Sequence, residues 1–120
     1  MTNKKERSES KLVELIKENL AGVDYVEKKM FGKFTYFINN NMFTGVHLPY
    51  LFLRLSPKDR EEALSQDGIM VFEPRPRMVM KEYVVLSNPI LDDKPLLVEL
   101  FHKSVNYVSS LPPKEPKKRK

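Results

Sequence analysis

Between residues 25 and 55 the chain strings together short runs rich in β-branched and aromatic residues: Tyr25–Met30, Phe34–Ile38, Met42–Leu48 and Leu51–Leu55. Only a few residues separate each from the next. Asn39-Asn40-Asn41 supplies one of the turns, since asparagine tolerates the left-handed backbone that tight turns need. The first three runs read as an antiparallel meander. In the fourth, Leu51, Leu53 and Leu55 alternate with Phe52 and Arg54, the pattern of a strand with one face well buried. Gly32 is read as a bend after Met30-Phe31, and Gly45 as a strand position where a side chain would strike a neighbour.

Helical periodicity brackets these strands. Leu12, Leu15, Ile16 and Leu20 recur at helical spacing between a Ser8 or Ser10 cap and Gly22, a residue suited to stop a helix. Ser56-Pro57-Lys58-Asp59 is a helix start, with a serine cap, proline at the first position and an acid near the positive dipole end, for a short helix running to about Ser65. Val71-Phe72-Glu73 reads as a brief strand. Pro74-Arg75-Pro76-Arg77 forces an extended loop, because two prolines cannot join a ladder, and Met78–Leu86 resumes as a strand. Asp92-Asp93-Lys94-Pro95 then opens the longest helix, whose core stripe is Leu97, Phe101, Val105, Val108 and Leu111 and which ends at Pro112-Pro113. The expected fold is α+β, a two-layer sandwich with a mostly antiparallel sheet, in the approximate order α-β3(4)-α-β2-α.

A chain of 120 residues holds one domain, and its 41% hydrophobic content is too high for a disordered chain. The boundaries expected from composition are a flexible polar N-terminus over 1–10, a folded body over 11–113 and a basic disordered tail over 114–120. Five cations and one anion give the tail a charge of +4, and four cations and two anions give residues 1–11 a charge of +2. The chain total is +5, so residues 12–113 carry −1 and the folded body is nearly neutral. Without cysteine there is no disulfide, thiolate zinc site or thiol nucleophile. The polar N-terminus lacks a signal peptide's apolar run and no segment approaches ~20 apolar residues, so no membrane association and a cytoplasmic location are expected.

Candidate chemistry is sparse. His47 and His102 stand far apart without the spacing of metal ligands, so His47 is expected to pack locally and His102 to lie on the wet face of the last helix. Glu61-Glu62 and Asp92-Asp93 are adjacent acids of the kind found on exposed helices and caps rather than in acid–base clefts. Glu73 and Glu82 flank the proline–arginine loop, where Arg75, Arg77 or Lys81 could pair with them. No phosphate-binding glycine loop or nucleophile motif occurs. No catalytic residue, metal, cofactor or small-molecule substrate is therefore assigned. Lys114, Lys117, Lys118, Arg119 and Lys120 are candidate phosphate contacts, with Arg75, Arg77 and Lys81, and with Lys28 and Lys29 if the sheet gathers them into a second patch.

The succession Lys29-Met30-Phe31-Gly32, Met42-Phe43-Thr44-Gly45-Val46 and Leu51-Phe52-Leu53-Arg54-Leu55 resembles the N-terminal domain of the TfoX/Sxy family. The resemblance continues through Phe72-Glu73-Pro74, Met78, Met80-Lys81-Glu82-Tyr83 and Tyr107–Lys114, covering roughly residues 12–114. It implies a two-layer α+β fold with an antiparallel sheet, and Met30, Phe31, Gly32, Phe43, Gly45 and Arg54 as structural motif positions. Lys33 departs from the glycine often found after Met-Phe-Gly, and Asn40-Asn41 from the usual turn. Full-length members regulate natural competence and are not known as enzymes; the length here leaves no room for their helical C-terminal domain. The expected function is a non-enzymatic, regulatory interaction module that binds a protein partner or self-associates through a sheet face or strand edge. The alternative is nonspecific nucleic-acid association through the basic tail, and a third reading is an enzyme using His47 or Glu82 in a cleft.

Overall fold

A computed structural model describes residues 7–30 and 32–113. Helix α1 spans Glu9–Glu18, capped by Ser8, whose hydroxyl accepts from the Lys11 amide. It thus begins inside the polar stretch 1–10, and Arg7 reaches across to Asn88 and Asp92. Leu12 and Ile16 are fully buried on its inner face. The helix ends before Gly22, which instead takes φ +82° in the turn that follows.

Four strands follow, β1 (Val26–Met30), β2 (Lys33–Ile38), β3 (Asn41–His47) and β4 (Tyr50–Arg54), each antiparallel to the next. Asn39 and Asn40 form the β2–β3 turn with φ +52° and +68°, the two positive values that match a two-residue hairpin to the right-handed twist of its strands. Between Tyr36↔Thr44 and Phe37↔Met42 the register slips, because β3 holds one extra residue, Phe43. This bulge resets the alternation, so that Phe43 and Val46, three positions apart, both lie in the main core.

Helix α2 (Pro57–Leu64) starts at the Ser56 cap, whose hydroxyl accepts from Asp59 N at 3.2 Å. Two short strands, β5 (Ile69–Val71) and β6 (Tyr83–Leu86), complete a six-stranded sheet of order β1-β2-β3-β4-β6-β5, antiparallel throughout. The strand expected at 71–73 lies two residues earlier. The one expected over 78–86 pairs only from Tyr83, because residues 72–82 fold back on themselves around Pro74 and Pro76. A short helix missed by the sequence reading, α3 (Asn88–Leu91), precedes α4 (Lys94–Ser110), which is capped by Asp93.

Helices α1 and α4 cover one sheet face. Leu12, Ile16 and Leu20 meet Tyr36, Phe43, Leu51, Leu53 and Leu55 from the strands, and Leu97, Leu100, Phe101 and Val108 from α4. The α4 stripe is shifted from expectation: Leu100 and Ser104 are buried, while Val105 and Leu111 are only half-buried. The architecture is α+β, with helices on one side of an antiparallel sheet and, among the described residues, no helix over much of the other.

Candidate functional site

The parity of β4 decides what the uncovered face carries. With Leu51 and Leu53 turned to the helices, Phe52 points the other way, and Tyr83 and Val85 on β6 join it in a second cluster with Phe72. Phe52 and Phe72 stack in parallel, 4.7 Å between centroids, and Tyr83 meets Phe52 edge-on at 5.8 Å. Gly45, directly across from Phe52, makes this packing possible. A β-carbon there would stand 2.8 Å from both the Phe52 ring and the Phe34 carbonyl oxygen, so the expected collision is real.

Phe72 lies just past β5, at the start of the proline–arginine loop. That loop closes on itself: Met80 N donates to Phe72 O at 2.8 Å, Met78 N to Arg75 O at 2.9 Å, and Arg77 N to a Glu73 carboxylate oxygen at 2.7 Å. Arg77 takes φ +68° at its tip. Two prolines, which cannot donate, and three internal bonds give the loop a definite shape standing against the sheet.

Between this loop and the sheet lies a groove of ≈ 550 Å³. Its floor and walls are Phe52 and Phe72 with four methionines, Met30 from β1, Met42 from β3, and Met78 and Met80 from the loop. Lys33, Arg75 and His47 are its charged or titratable lining groups, and no carboxylate lines it. His47 meets the Phe72 ring edge-on at 4.9 Å, and burial, reinforced by the Lys33 charge, holds its pKa below the usual histidine value. It is therefore neutral at pH 7. On its other side His47 borders a second, shallower hollow with Leu48, Tyr50, Met70 and Val71 at the β5 edge.

At one end of the sheet Arg54 binds Glu82, with Nε and Nη2 at 2.8 and 2.7 Å from one carboxylate oxygen. The guanidinium also stands 5.7 and 5.8 Å from the Tyr83 and Tyr107 ring centroids, and Tyr83 donates its hydroxyl to Met42 O at 2.9 Å. Arg54 therefore ties β4, β6 and α4 together. Glu82 pairs with this arginine rather than with Arg75, Arg77 or Lys81, because its backbone, at φ +78°, passes its carbonyl to Leu55 N beside Arg54.

Other expected sites are dispersed. His102 is exposed on α4, and Arg75, Arg77 and Lys81 are exposed in the loop. Lys28 and Lys29 point to opposite faces, over Phe37 and Phe34 respectively, so they do not form one patch. Phe31, Lys114, Lys117, Lys118, Arg119 and Lys120 lie outside the described residues. Among the described residues no three His, Asp or Glu side chains cluster as metal ligands, and no helix is long and apolar enough to cross a membrane.

Sequence reasoning missed the methionine groove. Its one available signal was the Met78/Met80 pair, two residues apart like neighbours on one face, but pairing with Met30 and Met42 depends on a loop turned back by its prolines.

The family model of the TfoX N-terminal domain matches residues 18–107, from the end of α1 through most of α4 and including every groove residue. No curated protein matches the chain.

Proposed function

Because the chain belongs to the TfoX N-terminal domain family, we propose that it is a non-enzymatic, regulatory interaction module that docks a protein partner on its uncovered sheet face. The observation that carries this reading is the concentration of exposed apolar side chains there. Val26 and Met30 on β1, and Met78 and Val79 in the loop, are each 38–54% exposed. Solvent-facing apolar groups gathered on one face mark an interaction surface where scattered ones would not. Thioether side chains adapt to differently shaped partners at little cost.

A face suits this role better than an edge. β1, the longer edge strand, carries Lys28 and Lys29, charges that discourage another strand from adding there, and β5 is only three residues long. The non-enzymatic part of the reading is supported by the groove's chemistry. Among the described residues no carboxylate hydrogen-bonds His47 to orient it and no nucleophile hydrogen-bonds it to be activated; its neighbours in the groove are an aromatic ring and a lysine, and Glu73 shares only the second hollow with it.

Photo-crosslinking in cells tests the reading. A benzophenone side chain replacing Lys28 or Met78 is expected to yield a discrete protein adduct, while one at Val98 or His102, on the outer surface of α4, yields none. Adducts from α4 alone, or from no position, would overturn it.

A further inference from the structure

We propose that the methionine-lined groove is itself a binding site for a small amphiphilic carboxylate, a molecule with one anionic head on an apolar body. This goes beyond protein docking and does not depend on it, since the purified chain and a small molecule suffice for binding. The groove's ≈ 550 Å³ falls in the usual range of small-molecule sites. Like such sites it is mostly apolar with a few polar groups, and its apolar surface is unusually adaptable. Phe52 and Phe72 provide a fixed aromatic floor, while Met30, Met42, Met78 and Met80 surround it with unbranched, polarisable chains that can close on tails of different shape.

Charge selects the head group. Lys33, on the β2 end of the β1–β2 hairpin, and Arg75, in the loop wall, both line the groove and both are exposed. Neither forms an ion pair with a described carboxylate, and the lining contains no acid. Among the described residues, two cations outside any ion pair therefore face an apolar slot. His47 adds no third positive charge at neutral pH but offers a ring nitrogen, whereas the Thr35 hydroxyl is already committed to Lys28 O at 3.0 Å. An ammonium head would meet like charge, and an alcohol head would leave both cations unused. A carboxylate accepts a forked pair of bonds from Arg75 and the charge of Lys33 while its tail covers the thioethers.

The six methionines make the test residue-specific. With methyl-labelled methionine, the Met30, Met42, Met78 and Met80 signals are followed by NMR while decanoate, 1-decanol or decylamine is added below its aggregation concentration. Met70, in the neighbouring hollow, is the internal control. Decanoate is expected to shift the four groove methyls saturably and Met70 little. Decanol should bind at least several-fold more weakly, and decylamine should leave the spectrum unchanged. Lys33→Glu and Arg75→Glu should each weaken decanoate binding about tenfold, the usual worth of a charge-assisted hydrogen bond. Both residues are exposed, so thermal melting of each variant should match the parent. No saturable shift with decanoate, equal binding of decylamine, or unchanged affinity in both variants would overturn the assignment.

Discussion

Replacing Gly45 by alanine is the most stringent single test of how the uncovered face is built. The added methyl would sit 2.8 Å from the Phe34 carbonyl oxygen and 2.8 Å from Cε2 and Cζ of Phe52. Ordinary contacts of this kind lie near 3.5–4.0 Å, so both neighbours must retreat by about 0.7 Å. The carbonyl is part of β2, where Phe34 is registered with Lys29 of β1 and the next residue, Thr35, with Gly45 itself, and the ring is held by its stack on Phe72 and by Tyr83. With neither neighbour free, the cost belongs in the upper part of the overpacking range, about 2–3 kcal/mol. For a chain of this size that corresponds to a melting temperature lower by roughly 6–15 °C. Urea and thermal unfolding of Gly45→Ala, Phe52→Leu and the double variant form a cycle. Phe52→Leu removes the ring half of the clash but not the carbonyl half, so the double variant should be less destabilised than the sum by about 1 kcal/mol. A Gly45→Ala protein within about 0.5 kcal/mol of the parent, or strict additivity with Phe52→Leu, would refute the packing described.

Two further outcomes follow from one half-buried and one fully buried polar group. His47 has a depressed folded-state pKa, so below the ordinary histidine value of about 6.5 the unfolded chain takes up the proton first. Its contribution to stability is complete above that pH and is lost as pH falls through the folded value; unfolding free energies of parent and His47→Gln between pH 7.5 and 4.5 should therefore converge towards acid, and a constant difference would contradict the assignment. Ser104, fully buried in α4, has a hydroxyl without a hydrogen-bond partner among the described residues, so Ser104→Ala should raise stability by about 1 kcal/mol in urea titrations, and a loss would show that the hydroxyl is satisfied.

Local rules made much of the fold legible. The leucine alternation of residues 51–55, the asparagine turn, the Ser56-Pro57 helix start and the Gly45 collision are set by a few neighbouring side chains, and each appears in the structure where the sequence places it. Failures came where distant residues decide. Residues 78–82 carry apolar groups suited to a strand, but the preceding prolines fold them onto Phe72. Leu100 and Ser104 entered the core because α4 lies against both sheet and α3, widening its buried face beyond a single stripe. The groove was the least legible feature, since its residues come from four strands and a loop and no spacing along the chain records that convergence.

On the reading proposed above, the uncovered sheet face docks a protein while the helical face only supports it. Hydrogen–deuterium exchange on the chain, alone and in complex with the partner identified by crosslinking, measures this most directly. Slower exchange is expected in Val26–Met30 and residues 72–80 on complex formation, with the outer surface of α4 unchanged. Protection confined to α4, with the β1 and loop amides exchanging as in the free chain, would contradict it.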